Sequence, residues 1–308
     1  MQLLSFVIPC YGSEKTIEPV ICEIKKTLSI NNNYDYEIIP VNDYSPDKVW
    51  NVLLRLASED KKIKPVHLAK NMNRPGAVMA GLNLASGDIV IIMDDDGQCP
   101  MGNLFDLIEP LNNGFDVSMA DYPERKQSLF KDFGTIINKK MTEWVIGKPK
   151  DLQFTNFMAL KKYIIEEIIK YNNPYPFLTG LILRSTDSIV NVRMEERNRI
   201  EGKTTFTFIK MVRHWANGLT AFSIKPLRIA SFLGFLCFFV GLFFCTFIIV
   251  KKLLDPSINA GWSSIVSIIL FVGGLIMLML GMIGEYLGRI YISINQSPQY
   301  VIREKINF

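Results

Sequence analysis

Histidine is nearly absent from this chain of 308 residues; there are two, His67 and His214, far apart in the sequence. Cysteine is scarce too, with five (Cys10, Cys22, Cys99, Cys237 and Cys245) and no CxxC or Cys/His spacing among them. These shortages leave no zinc site and no Ser-His-Asp arrangement to argue from. His67, at a strand end, reads as structural, and Cys237 and Cys245 read as small apolar residues inside an apolar run. Internal repeats and low-complexity runs are missing. So is a basic n-region with a cleavage site, which predicts no signal peptide and a cytoplasmic N-terminal domain. The net charge of +4 is too small for nucleic acid and sits partly beside the apolar segments, where it suits anionic lipid.

Charge itself is missing from residues 229–250 and 256–284. Each run is long enough to cross a hydrocarbon core of about 30 Å at about 1.5 Å per residue. The short connection between them predicts a helical hairpin. Buried helices of a soluble protein are the alternative, but two such runs would need a very large protein around them. Lys210, Arg213, Lys225 and Arg228 before the first run, and Arg289, Arg303 and Lys305 after the second, predict cytoplasmic flanks. Lys251 and Lys252, between the runs, go against that rule.

What is present before these runs is an alternation of strand and helix. Residues 3–8, 36–41, 63–68, 89–93 and 115–119 read as strands. Residues 16–28, 46–57, 75–85 and 103–111 carry helical spacing. Further on, 126–146 and 161–171 read as helices and 181–194 as a hairpin with its turn at 185–188. Residues 206–219 are amphipathic and basic, as an interfacial helix would be. Such alternation predicts a mainly parallel sheet with helices on both faces.

The most informative stretch is 89–100, IVIIMDDDGQCP, an apolar strand ending in Asp94, Asp95 and Asp96. Ligands of doubly wound sheets bind just beyond the carboxyl ends of the strands. In an extended chain Asp94 and Asp96 would point to one side. They could then share a divalent cation, whose hard oxygen ligands suit a diphosphate. Alone, such a triplet is more often a solvated strand end or a helix N-cap. Its neighbours change that. Strand one ends in Pro9, Cys10 and Tyr11; strand two in Asn42, Asp43, Tyr44 and Ser45; Asn71 to Gly76 open a third rim segment. A Tyr and an Asp at neighbouring strand ends can stack on and hydrogen-bond a nucleobase.

With these residues in this order the chain resembles the inverting glycosyltransferase family 2, which has the GT-A fold. The resemblance is closest to its polyprenyl-phosphate branch, which includes dolichol-phosphate mannose synthases and bacterial undecaprenyl-phosphate sugar transferases. It is carried by FVIPCYGSEKTIE, EIIPVNDYSPD, NMNRPGAVMAGLNLASGDIVIIMDDDGQCP and NGLTAFSIKPLRIASFLG, followed by the two apolar runs. It implies a Rossmann-like α/β domain, then interfacial helices and a two-helix transmembrane hairpin. Nucleotide-sugar contacts fall on Pro9, Tyr11, Asp43, Asp94, Asp95 and Arg199. Asp94, Asp96 and Gln98 become ligands of Mg2+ or Mn2+, Asp96, Asp151 and Arg199 the catalytic group, and Lys131 the contact to the acceptor phosphate. Two departures stand out. Tyr44 replaces the usual glycine after Asp43, and Thr204, Thr205 and Phe206 replace a Ser-Lys-Tyr, with Lys203 nearby.

The resemblance implies a metal-dependent transfer of a sugar, by default from a UDP-hexose, to polyprenyl phosphate for cell-envelope glycan modification. An ionised lipid phosphate needs no strong general base. The place would be a bacterial cytoplasmic membrane, crossed more than once. The expected layout is a catalytic domain at 1–205, an interfacial segment at 206–228, a hairpin at 229–284 with spans at 229–250 and 263–284, and a cytoplasmic tail at 285–308. Expected partners are the nucleotide-sugar donor, the lipid acceptor and membrane lipid, with no nucleic acid and room for a homo-oligomer. Three alternatives stay open: transfer directly to a glycan or lipid, a processive synthase, and a non-catalytic scaffold that binds nucleotide sugars.

Overall fold

The computed structural model describes residues 1–122, 149, 152–174, 176–200, 225–254, 261–295 and 297–308. The chain divides into a sheet unit, Met1–Val212 with Gln296–Phe308, and a helical unit, Arg213–Asn295.

The sheet unit is built on β1 (Gln2–Cys10), whose side chains are buried on both faces from Leu4 onward. Leu4, Phe6, Ile8 and Cys10 join one core cluster with residues of α1 (Ile17–Leu28) and α2 (Val49–Glu59). On the other face lies α3 (Asn73–Leu82). It approaches closely because Gly81 has no side chain; a Cβ there would stand 2.4 Å from Val7 Cγ1. This double covering explains the continuous apolar run, as expected for parallel strands.

The remaining strands are β2 (Tyr34–Asn42), β3 (Val66–Leu68), β4 (Ile89–Ile92), β5 (Val117–Asp121), β6 (Met158–Lys161), β7 (Ile189–Arg193) and β8 (Ile302–Lys305). Their order in the sheet is β7-β5-β6-β4-β1-β2-β3-β8. β1 pairs in parallel with β2 and β4, as do β2 with β3 and β5 with β7. β6 and β8 run antiparallel to their neighbours. The chain builds outward from β1 through β2 and β3, then returns to the other side of β1 for β4. The switch point therefore falls between the carboxyl ends of β1 and β4.

The expected strand at 63–68 is shortened to β3. Pro65 has no N–H to donate, and Ile63 makes only an isolated bridge to Ile38. The expected hairpin at 181–194 is a helix, α6 (Leu178–Ser185), followed by β7; α4 (Leu104–Asn112) and α5 (Lys162–Ile168) precede it. The turn at 185–188 does exist, pinned by Thr186 Oγ1 donating to Asp116 at 2.7 Å and accepting from Ser188 N at 3.0 Å. It joins a helix to a parallel strand because Leu181 and Ile182 bury as helical neighbours. The segment 285–308, expected as a tail, holds the end of the helix Trp262–Ile294 and then β8.

In the helical unit, α7 (Lys225–Leu254) and α8 (Trp262–Ile294) approach each other where Gly234 faces the Met279 side chain. Phe232, Phe235, Phe239, Phe243 and Phe271 are exposed. Within α8 the window Phe271–Gly288 has mean hydropathy 1.7 and is long and apolar enough to cross a membrane; α7 contains a shorter apolar stretch, Ala230–Phe244. The expected helices at 126–146 and 206–219 lie outside the described residues.

One buried charge holds the lower edge of the sheet. Glu37 on β2 accepts from Ser5 Oγ (2.5 Å), Ser86 N (2.6 Å) and Lys64 Nζ (2.7 Å). Burial alone would raise its carboxyl; the donors outweigh burial and hold it below the usual glutamate value. Its folded pKa is depressed, so its contribution is complete above the ordinary glutamate pKa and is lost as pH falls through the folded value. We predict that Glu37→Ala costs about 3 kcal/mol near neutral pH. The gap to wild type should narrow in acid, as denaturant unfolding at both pH values would measure.

Candidate active site

The site is assembled at the switch point from four strand ends. At β1, the Tyr11 N–H donates to Asp95 Oδ2 (3.2 Å) and the Gly12 N–H to Ser45 Oγ (2.8 Å). At β2, Asp43 is buried and accepts from the Met72 N–H at 2.6 Å, while Asn71 Nδ2 donates to the Asp43 carbonyl at 3.2 Å. Burial raises the Asp43 carboxyl to about 6 against the opposing N–H groups of Met72 and Asn73. Tyr44 holds a left-handed backbone (φ 52°) where the family resemblance expects glycine, and half its surface is exposed. Asn42 bonds His67 Nδ1 (2.9 Å), and His67 stacks on Trp50 at 4.9 Å. Burial, then Arg303, lowers the His67 pKa, in keeping with a structural imidazole.

The acids beyond β4 are not extended. The strand stops at Ile92, and Asp95 and Asp96 lie in a turn with Gly97 at φ 77°. The same-side argument for Asp94 and Asp96 is therefore replaced by a turn in which each carboxylate finds its own partners. Asp94 accepts from Arg74 Nε (2.8 Å) and Asn156 Nδ2 (2.7 Å). Asp95 turns back to β1; burial first, then its neighbour Asp94, raises it to about 6. Asp96 meets Arg199 Nε at 3.2 Å, and burial raises its pKa.

Residues 197–200 close over this turn. Arg197 N donates to the Gln98 carbonyl (3.2 Å) and Ile200 N to the Asp96 carbonyl (3.1 Å). Arg199 Nε also donates to Gln98 Oε1 at 2.7 Å. Gly97 suits the turn beneath them because its φ of 77° is a backbone that L side chains rarely adopt. Cys10 and Cys99 are buried, which pushes both thiols up and keeps them protonated near neutral pH.

Pro9, Tyr11, Asp43, Asp94, Asp95, Asp96, Gln98 and Arg199 are thus brought to one rim. Lys131 and Asp151 lie outside the described residues, as does Lys203. Arg74 and Asn156 were missed as site residues, although both hold Asp94. Arg74 was visible in NRPG at a helix start, whereas nothing local in the sequence marks Asn156. Among the described residues no group of three or more His, Cys, Asp or Glu is gathered as a metal cage. Asp94, Asp96 and Gln98 do offer oxygen donors alone, a set that suits a hard cation. A shallow cavity of about 390 Å³, lined by Gln2, Asp88, Lys161 and Tyr163, lies at the opposite rim and contains none of these groups.

Fold and rim define a sugar transferase of the GT-A type. Residues 5–169 match the glycosyl transferase family 2 model, more than half the chain, and residues 225–290 match the GtrB C-terminal hairpin. The chain belongs to glycosyl transferase family 2 and is a glycosyltransferase. It is 28% identical over 301 residues to the uncharacterized glycosyltransferase YkcC of Bacillus subtilis, covering 97% of this chain and 93% of the relative. It is 29% identical to a prophage bactoprenol glucosyl transferase homolog of Escherichia coli, covering 97% and 98%. The bactoprenol glucosyl transferase of Shigella phage SfII is also 29% identical, covering 98% and 97%. Among solved structures, the glucosyl-3-phosphoglycerate synthase of Mycobacterium tuberculosis with Mn2+ and UDP-glucose superposes with a TM-score of 0.54 at 17% identity, covering 71% of this chain and 77% of that one. That likeness establishes the fold.

Proposed function

We propose that this glycosyltransferase moves a hexose from a UDP-hexose to polyprenyl (undecaprenyl) phosphate with inversion, making a lipid monophosphate sugar for cell-envelope glycan modification. The observation that carries the reading is the convergence of Tyr11, Asp43, Arg74, Asp94, Asp96, Gln98 and Arg199 on one rim. The bactoprenol glucosyl transferases among the relatives support the acceptor.

Tyr11 and Asp43 take the base, the first by stacking and the second by accepting its N–H. Arg199 donates to diphosphate oxygens. Among the described residues the buried Arg74 Nη2 meets no hydrogen-bond partner, which leaves it a donor for another. Asp94, Asp96 and Gln98 would hold Mg2+ or Mn2+, which supplies neutralising charge to the departing diphosphate. A phosphate oxygen of the acceptor attacks the anomeric carbon from the face opposite the leaving group; the bond to the diphosphate breaks and UDP departs. The acceptor oxygen is already ionised near neutral pH, since second phosphate pKa values lie near about 6. The Asn156 amide beside Asp94 suits a site that need not remove a proton. Lys131 is assigned to the acceptor phosphate, and Asp151 joins Asp96 and Arg199 in the catalytic group.

The domain limits proposed are those of the sequence: catalytic 1–205, interfacial 206–228, hairpin 229–284 and cytoplasmic tail 285–308. The exposed apolar faces of α7 and α8 support placing the hairpin in a bacterial inner membrane. The catalytic domain is then cytoplasmic, where nucleotide sugars are available.

Mass spectrometry of lipid and nucleotide products from the purified full chain with UDP-glucose and polyprenyl phosphate tests the assignment. One UDP should be released for each lipid monophosphate hexose. Release of UMP, or equal transfer to a soluble alcohol, would overturn it. A second expectation follows from Asp43, whose carboxyl sits at about 6. Below that pH it takes up a proton and loses its anionic acceptor, so the donor KM should rise as pH falls through 6. Asp43→Asn should have a raised KM with that limb of the pH profile flattened.

A further inference from the structure

Residues 291–308 lie beyond both matched family segments. Within them, Gln299 is buried, with 7% of its surface exposed. Its Nε2 donates to two carbonyls in the segment after α5, Tyr171 O (3.2 Å) and Asn173 O (2.9 Å). Its own carbonyl lies against the start of α3, where a Cβ on Gly76 would come within 3.2 Å of it. Two residues on, the Val301 carbonyl accepts from the Ala69 N–H at 2.8 Å. Tyr300 and Ile302 pack with Met72 on the cluster of Ile39, Val41, Val66, Leu68, Ala77 and Ala80. β8 then runs antiparallel along β3.

The stretch gripped in this way, from Ala69 to Gly76, supplies the rim. It carries the Met72 N–H that holds Asp43 and the Arg74 guanidinium that holds Asp94. β8 adds little core, since Arg303, Glu304 and Lys305 are exposed. Its contacts fix backbone. The far end of the segment is secured separately, by Asn307 Nδ2 donating to Ala57 O and Ile63 O, both at 2.9 Å. Asn307 touches nothing at the start of α3 in these bonds, so the two anchors can be separated by mutation.

We propose that Gln299 is a positioning residue for nucleotide binding: tied to the segment after α5, it presses its backbone onto the start of α3 and sets the loop that aims Asp43 and Arg74. The inference rests on the reading that Asp43 and Arg74 face the donor. Ordering this loop before the donor arrives lowers the cost of binding it. The effect therefore falls on donor affinity and leaves the chemical step alone.

The test uses the full chain in lipid nanodiscs, with UDP binding by calorimetry beside kcat and the KM values for donor and acceptor. Gln299→Leu keeps the volume and removes both donors. It should raise the UDP Kd and the donor KM by about 10-fold, equivalent to about 1.4 kcal/mol, and leave kcat and the acceptor KM within about twofold. If that variant does not fold, Gln299→Met, which keeps an unbranched side chain of similar length and also removes the amide donors, should give the same split. Asn307→Ala loosens the other anchor and should lower thermal stability without changing the donor KM. An unchanged UDP Kd in Gln299→Leu, or an equal rise in donor KM in Asn307→Ala, would overturn the inference while leaving the proposed function standing. A wild-type chain that binds no UDP would overturn both.

Discussion

Like charges a few ångströms apart repel by about 4 kcal/mol at an effective dielectric of 20, and this chain places three carboxylates in succession at the end of a buried strand. Each is relieved differently. Asp94 takes the Arg74 guanidinium and the Asn156 amide, Asp96 takes Arg199, and Asp95 turns away to the Tyr11 N–H. To supply those partners, α3 must begin beside β4, the loop before β6 must reach the same rim, and residues 197–200 must fold over the turn. The positive φ of Gly97 belongs to the same turn, since L side chains rarely adopt that backbone.

The arrangement also explains how an acidic rim serves a diphosphate donor in the proposed function. Cationic side chains already stand at the carboxylates before a substrate arrives. In that reading Arg199 and Arg74 would turn from carboxylate to phosphate oxygens when a donor binds. Preset charge of this kind is the usual large term in catalysis of group transfer. Asp43 serves a different end: its burial is a cost in the ligand-free protein, offset by the Met72 and Asn73 N–H groups that also aim it.

Much of the fold was legible because burial on both faces of a parallel sheet leaves unbroken apolar runs, as in β1 and β4. The rim was legible because its residues sit directly after those runs. What was not legible depends on distant chain segments. Asn156 reaches Asp94 across 62 positions, and β8 reaches β3 with a sequence, IREK, whose charges read as solvated tail. An edge strand shows charge outward, so its pattern resembles a loop's. The hairpin expected at 181–194 failed for the opposite reason: short apolar runs suit helix and strand alike, and only packing against the sheet separates them. The backbone after β4 was not legible either: alternation along an extended chain does not foresee that Asp95 and Asp96 lie in a turn.

The central claim is that this acid turn takes a divalent cation together with the nucleotide, in exchange for its guanidinium partners. Electron paramagnetic resonance of free Mn2+ over the purified full chain measures it directly. The account predicts uptake of one Mn2+ per chain with UDP present, much weaker uptake without UDP, stronger UDP-free uptake in Arg199→Ala, and loss of uptake in Asp94→Asn. No uptake in the presence of UDP, or uptake unchanged by Asp94→Asn, would contradict it.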